Sequence, residues 1–189
     1  MFQGTHRDLK DELKPRSGFI YDVIMRGLDS SFWKAISGTV TVVSNKLRFN
    51  ADALGSYTQF LFGKFEFAVN VPTTPSTGEA KKWGLLNPSD ATAGSAYFEI
   101  VGAVFNAVSY DNDGTVETTA ITWDSWETAE TSFEIQWERG WVIFLVDGTV
   151  VATHKTSVGT LAQGLYIINA DSDNTDVGFI KVKDTSMYV

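Results

Sequence analysis

The sequence predicts an all-β protein, a two-sheet antiparallel β-sandwich or jelly roll. Strand-like segments recur every ~8–15 residues between Gly, Asp and Pro turns, and helical periodicity is almost lacking. The stretch at 133–155, FEIQWERGWVIFLVDGTVVATHK, is typical of three consecutive strands joined by two tight turns. Many short strands with turns of this kind are characteristic of sandwiches and jelly rolls.

The turns within 133–155 make this prediction specific. Asp147-Gly148 separates two apolar runs, and Asp-Gly is favoured in a two-residue hairpin turn because both positions need φ > 0. Glu138-Arg139-Gly140 joins the first two strands, and Gly140 can adopt the left-handed conformation. Residues 143–146 are apolar on both faces, which indicates a strand inside the sandwich.

The rest of the chain supplies the other strands. Residues 60–71 alternate between one apolar and one polar face, the period of a half-buried strand. The predicted strands outside 133–155 are 19–25, 39–43, 46–50, 60–71, 83–87, 96–101, 105–110, 116–121, 164–170 and 177–183. Residues 1–17 form a polar arm, and 18–189 form a single domain with a core large enough for its length.

Composition narrows the classes of partner. The net charge is −8, and no cluster of Lys and Arg is evident beyond a short N-terminal run, so nucleic acid is not an expected partner. There is no cysteine, which excludes disulfides and thiolate sites. Residues 1–17 lack the apolar stretch of a signal peptide, and no apolar run approaches ~20 residues. We therefore expect cytoplasmic synthesis and no membrane partner.

The order of several short motifs resembles the concanavalin A-like lectin/glucanase superfamily, and most closely its laminarinase-type β-glucanases. The resemblance covers residues 19–184. It rests on DSSFW (29–33), KLRFN (46–50), FGKFEFAVNVP (62–72), WGLL (83–86), YFEI (97–100), WVIFLVDGTVV (141–151), IIN (167–169) and VGFIKVK (177–183). It implies a jelly roll of two curved sheets whose concave face forms a sugar cleft.

One departure from the family pattern shapes the functional expectation. The enzymes of this family carry carboxylates on one strand in a pattern like E-x-D-x-x-E. In this chain Glu99 matches the first carboxylate, Val101 stands in place of the Asp, and no Glu follows. Because a retaining glycosidase needs two carboxylates, we predict that the chain is not an enzyme. Glu127 or Glu130 reaching over the cleft is the alternative that would keep it a hydrolase with a rearranged site.

The resemblance also points to glycan-binding side chains. Tyr97 and Glu99 share a strand face and would line the cleft, and Trp83 heads the strand that matches the cleft-lining Trp strand. Trp123 and Trp126 lie in a turn-rich segment suited to a rim. Each has a structural alternative: a leftover polar position for Tyr97 and Glu99, a core position for Trp83, and a cap on the sandwich for Trp123 and Trp126.

Two acidic loops are candidate calcium sites, since calcium needs six to eight oxygen ligands. The main candidate comprises Asp171, Asp173 and Asp176, and the weaker one is the loop at 110–114. Neither follows the EF-hand pattern. The alternative is that Asp is present because it favours turn geometry.

The expected function is a non-catalytic recognition or structural module, such as a decoration or fibre protein on a virion surface, which contacts glycans or neighbouring subunits. Missing carboxylates, the missing signal peptide and the N-terminal arm favour it. A free carbohydrate-binding lectin is one alternative, and a glycoside hydrolase with a rearranged site is the other.

Overall fold

The structure is a computed structural model that describes residues 33–71, 80–86, 92–122, 130–170 and 172–188. Thirteen strands and no helix lie within these ranges. The strands are β1 (Trp33–Ser37), β2 (Thr41–Val43), β3 (Lys46–Phe49), β4 (Ala53–Asn70), β5 (Ala80–Leu86), β6 (Ala96–Val101), β7 (Val104–Tyr110), β8 (Val116–Ile121), β9 (Thr131–Glu138), β10 (Trp141–Val146), β11 (Thr149–His154), β12 (Gln163–Asn169) and β13 (Thr175–Tyr188).

The strands form two antiparallel layers. The first sheet has the order β1-β4-β12-β5-β6-β7-β8, and the second has the order β11-β10-β9-β4-β13-β3-β2. Strand β4 belongs to both. Its first part pairs with β1 and β12, and the part from Phe60 onward pairs with β9 and β13. The predicted all-β sandwich is confirmed.

Turn chemistry explains how neighbouring strands reverse. Asp147 and Gly148 have φ of 48° and 76°, so the Asp-Gly turn between β10 and β11 is the predicted one. Ser44 and Asn45, with φ of 51° and 62°, make the equivalent turn between β2 and β3. Gly140, between β9 and β10, also has positive φ.

The core lies between the layers and is rich in aromatic rings. Phe98 of the first sheet contacts Phe133 and Phe144 of the second, with ring centroids 5.1 Å and 5.2 Å apart. Strand β9 shows the alternation most clearly, since Phe133, Ile135 and Trp137 are buried while the residues between them are half-buried. Aromatic edge and stacked contacts of this kind add to the burial of apolar area.

The sequence located most strands to within a few residues. It missed β1 and the first part of β4, and the predicted strand at 19–25 and the arm boundary at residue 17 lie outside the described residues. None of the residues that the structure describes forms a helix long and apolar enough to cross a membrane.

Candidate functional site

The outward face of the first sheet carries an ordered row of glycines and large side chains. Register places Gly55, Tyr166, Gly84, Tyr97 and Val108 side by side on five neighbouring strands. Their sequence neighbours point into the core, so alternation directs this row outward. We call this face of the sheet, on the side away from the main core, the tyrosine face. Its tyrosines are Tyr57, Tyr97, Tyr110 and Tyr166, of which Tyr97 and Tyr166 are buried.

Two glycines of this row leave room for a tyrosine on a neighbouring strand. A Cβ atom on Gly55 would stand 2.3 Å from the ring of Tyr166. A Cβ atom on Gly84, whose φ is +154°, would stand 2.6 Å from the backbone of Tyr97. Both distances are far below van der Waals contact, so these positions require glycine in the observed arrangement.

An ion pair lies beside this row. Lys82 of β5 and Glu99 of β6 are register partners, and Nζ lies 2.7 Å from Oε1. The same ammonium group lies 5.0 Å from the centroid of the Tyr97 ring. Both charged side chains keep some solvent access, so a ligand on this face can reach them.

Tyr97 and Tyr110 form a second contact on the same face. Their rings stack with centroids 6.4 Å apart, and their hydroxyl groups are hydrogen-bonded. Burial, with the nearby charge of Glu99, raises the pKa of Tyr97 well above its ordinary value. The Tyr97 phenol is therefore a neutral donor and acceptor.

Tyr57 is the open ring of the tyrosine face. Tyr57 is 60% exposed, and the ammonium group of Lys34 on β1 lies 5.7 Å from the centroid of the Tyr57 ring. An exposed tyrosine ring with a polar tip can stack on a sugar and hydrogen-bond its hydroxyl groups.

The structure brings together two of the predicted glycan-binding residues. Tyr97 and Glu99 do share the outward face, as the period of two predicted. Their contact with sugar stays a prediction, and Tyr97, which is only 3% exposed, offers little surface for it. Trp123 and Trp126 lie outside the described residues.

The placement of Trp83 in a sugar cleft is wrong. Trp83 is fully buried on the inner face of β5, stacked on Phe98 and Phe105 and in edge contact with Phe133. A ring enclosed in this way has no surface left for a sugar, so Trp83 belongs to the core.

Two residues of the main acidic loop, Asp173 and Asp176, are bound by side chains of neighbouring strands. Both carboxylate oxygens of Asp176 accept hydrogen bonds from Arg48 at 2.7 Å, so Asp176 forms a bidentate ion pair instead of standing free as a ligand. The backbone carbonyl of Asp173 accepts from Asn169 and from Lys81. Asp171 lies outside the described residues, so calcium at this loop stays a prediction.

The weaker calcium candidate has a local explanation. Oδ1 of Asp111 accepts hydrogen bonds from the backbone N–H groups of Asp113 and Thr115. This is the turn chemistry for which Asp is favoured. Within the described part of the chain, no three His, Asp or Glu side chains cluster as metal ligands would.

Comparison with known proteins identifies solved structures that share this fold. No family model matches the sequence, and no curated protein matches it. Solved structures do match. The β-glucanase of Bacillus licheniformis aligns with a TM-score of 0.72 at 13% identity, over 89% of this chain and 99% of that one. The chain has the fold of the β-glucanases.

Two further neighbours show the breadth of this similarity. The catalytic domain of an endo-1,3-β-glucanase (laminarinase) from Thermotoga petrophila aligns with a TM-score of 0.68 at 13% identity, over 88% of this chain and 95% of that one. The Crh5 transglycosylase, solved in complex with NAG, aligns with a TM-score of 0.63 at 16% identity, over 82% of each chain. The jelly-roll prediction is thereby confirmed.

The prediction that the chain is a non-catalytic module is wrong. The solved structures named above, which share its fold, are glucanases and a transglycosylase. At 11–16% identity to the neighbours a carboxylate cannot be declared lost from motif spacing alone. The virion and decoration roles and the lectin alternative depended on lost catalysis, and they are withdrawn with it.

Of the two residues that the sequence suggested as a second carboxylate, the structure describes only Glu130. Glu130 lies 2.7 Å from Lys46 of the second sheet and next to Gly178 of β13. It therefore stands on the opposite side of the sandwich from Glu99. Glu127 lies outside the described residues.

Sequence reasoning missed several residues of the tyrosine face. Lys82, Tyr57, Tyr110 and Tyr166 were not singled out. For Lys82 and Tyr166 a signal was available: each stands two residues from a glycine in a strand, where a missing side chain leaves room for a neighbouring ring.

Proposed function

We propose that the protein acts on a β-linked polysaccharide bound across the tyrosine face, by hydrolysis or transglycosylation, with Glu99 as one of two catalytic carboxylates. The position of Glu99 carries the proposal. Along the described strands of the first sheet, it is the one carboxylate on the outward face, and Lys82 holds it at 2.7 Å. The motif resemblance supports the proposal, because Glu99 matches the first carboxylate of the glucanase pattern.

Glycosidic bond cleavage needs a second carboxyl group, ~5–5.5 Å away for retention or ~6.5–9.5 Å for inversion. In the retaining case a carboxylate attacks the anomeric carbon while the second group, a protonated carboxyl, gives its proton to the departing oxygen and later takes one from the incoming hydroxyl. A water or a second sugar hydroxyl then releases the glycosyl group, which gives hydrolysis or transglycosylation.

Asp90, Asp124 and Glu127 are acidic residues outside the described ranges that could serve. Register aligns Glu99 with Asn106 and Ala120. Two strand spacings therefore put Ala120 about 10 Å from Glu99. The described positions aligned with Glu99 on these strands hold no second carboxylate, so we propose that one of the three residues outside the described ranges supplies it.

Activity of Glu99 variants tests the proposal. Purified protein is incubated with β-1,3-, β-1,4- and mixed-linkage glucans and with short acceptor oligosaccharides. Reducing ends and transfer products are then measured. Glu99→Gln should lower turnover about a thousandfold, and one of Asp90→Asn, Asp124→Asn and Glu127→Gln should do the same.

Glu138→Gln is the matched control, because Glu138 is exposed at the end of β9 in the second sheet and loses the same charge. It should keep wild-type turnover. Equal turnover in Glu99→Gln and Glu138→Gln would overturn the role of Glu99. The proposed function would be overturned if the wild-type chain neither bound nor cleaved any of the β-glycans.

A further inference from the structure

Two lysines of the outward face each lie over a tyrosine ring. Lys34 lies 5.7 Å from the centroid of Tyr57, and Lys82 lies 5.0 Å from the centroid of Tyr97. Tyr166 stands between the two pairs, on the strand that separates β4 from β5. We call these five residues the lysine–tyrosine track.

The two ammonium groups are spaced to meet separate units of one chain molecule. Lys34, Gly55, Tyr166 and Gly84 are aligned by register, and Lys82 is two residues from Gly84. Three strand spacings and two residues along the strand put the Cα atoms of Lys34 and Lys82 about 16 Å apart. The track crosses the strands, so an extended polymer lying over it would meet both lysines.

The charge of this track differs from that of the whole molecule. The chain carries a net charge of −8. The outward-facing charges along the described strands of the first sheet are Lys34, Lys82 and Glu99, which sum to +1. No carboxylate of the described residues lies within ion-pair distance of Lys34. Lys82 has three N–H donors, of which Glu99 takes one.

We infer that the polysaccharide accepted by this face is acidic, with carboxylate or sulfate groups that bind Lys34 and Lys82 while one of its sugar rings contacts Tyr57, the exposed ring of the track. The inference rests on the proposed function, because it names the substrate class of the same site. An acidic glycan would otherwise be repelled by a protein of this net charge, so recognition depends on the local cations.

Matched glycans test the inference. One β-1,3-glucan is used unmodified, carboxymethylated and sulfated, and binding to the whole chain is measured by calorimetry at about 0.02 M and about 0.3 M salt. We expect at least one charged form to bind roughly tenfold more tightly than the neutral form at low salt, and the difference to shrink at high salt. The carboxymethyl and sulfate arms identify which anion is preferred.

Variants locate the effect. Lys34→Gln should lose roughly fivefold in affinity for the charged glycan, whereas Lys155→Gln, which removes an exposed lysine after β11, should lose nothing. Glu99→Gln should bind the charged glycan at least as tightly as wild type, because it removes a repelling carboxylate, even though it lowers turnover.

The outcomes separate this inference from the proposed function. Equal binding of neutral and charged glycans, or equal losses in Lys34→Gln and Lys155→Gln, would overturn the acidic substrate and leave the function standing. Turnover that persists in Glu99→Gln, together with a strong preference for charged glycan, would overturn the role of Glu99 and leave the acidic ligand standing.

Discussion

Trp83 occupies the centre of the core, where three phenylalanine rings surround it. Its indole Nε1 is buried without a hydrogen-bond partner, so its contribution comes from packing. We expect Trp83→Ala to lower the free energy of unfolding by about 3–5 kcal/mol. Trp83→Phe should cost less, because it keeps an aromatic ring and removes the unpaired N–H.

Urea unfolding followed by circular dichroism measures both changes. A loss below about 1 kcal/mol in Trp83→Ala would contradict the core assignment. In that case the ring would be accessible, and its role in sugar binding would have to be reconsidered.

Trp83 also shows what a strand pattern can and cannot predict about a site. The period of two correctly placed Tyr97 and Glu99 together, because alternate residues must share a face. It could not tell which face of β5 points inward, since Trp83 and Leu85 on one side and Leu86 on the other are all apolar. Packing against the second sheet decides which face of β5 points inward, and the local sequence does not encode that packing.

At the scale of elements, the pairing of β4 with β12 depends on a contact between Gly55 and Tyr166. Gly55 has no positive φ, so alanine is acceptable to its backbone, and the obstacle is the ring 2.3 Å from the added Cβ. We expect Gly55→Ala to destabilise the protein by about 1–3 kcal/mol through overpacking.

A double-mutant cycle isolates this contact. In a Tyr166→Ala background, Gly55→Ala should become nearly neutral, because the ring that obstructs the methyl group is gone. Thermal or urea unfolding of the four proteins gives the coupling energy. Additive losses would show that the ring does not rest on Gly55.

Element boundaries were predictable wherever turn chemistry marked them. Asp147-Gly148 and Ser44-Asn45 predicted their hairpins because few residues tolerate two successive positive φ values. The first part of β4 was missed because Gly55 and Ser56 interrupt its pattern. Those residues are small because Tyr166 and the backbone of Leu165 approach them, and such a contact over more than a hundred residues leaves no local signal.

At the scale of the whole molecule, His154 connects the two sheets. It lies on β11 of the second sheet, with Nδ1 2.8 Å from the hydroxyl of Ser109 on β7 and Nε2 3.0 Å from the hydroxyl of Thr119 on β8. Its ring is buried and packs against Phe144. Burial lowers the pKa of His154, and the charge of Glu117 opposes this only in part.

The contribution of Glu117 to stability changes at a lower pH than that of His154. Burial raises its pKa, but hydrogen bonds from the backbone N–H groups of residues 155–157 and the nearby His154 outweigh it, so the pKa of Glu117 is lowered on balance. Its stabilising effect is present above its ordinary pKa of 4.5 and is lost as pH falls below that value. A change in stability between about pH 7 and about pH 5 therefore reports on histidine.

The direction of that change follows from the lowered pKa of His154. Below its ordinary value of 6.5 the unfolded chain binds a proton that the folded chain resists. The free energy of unfolding should therefore fall as pH drops from about 6.5 towards the folded pKa. His154→Gln should be less stable at pH 7 but should lose this slope, whereas His6→Gln, which removes the second of the two histidines, should keep it. Melting temperatures at several pH values measure both, and a slope unchanged in His154→Gln would show that the buried ring does not control acid stability.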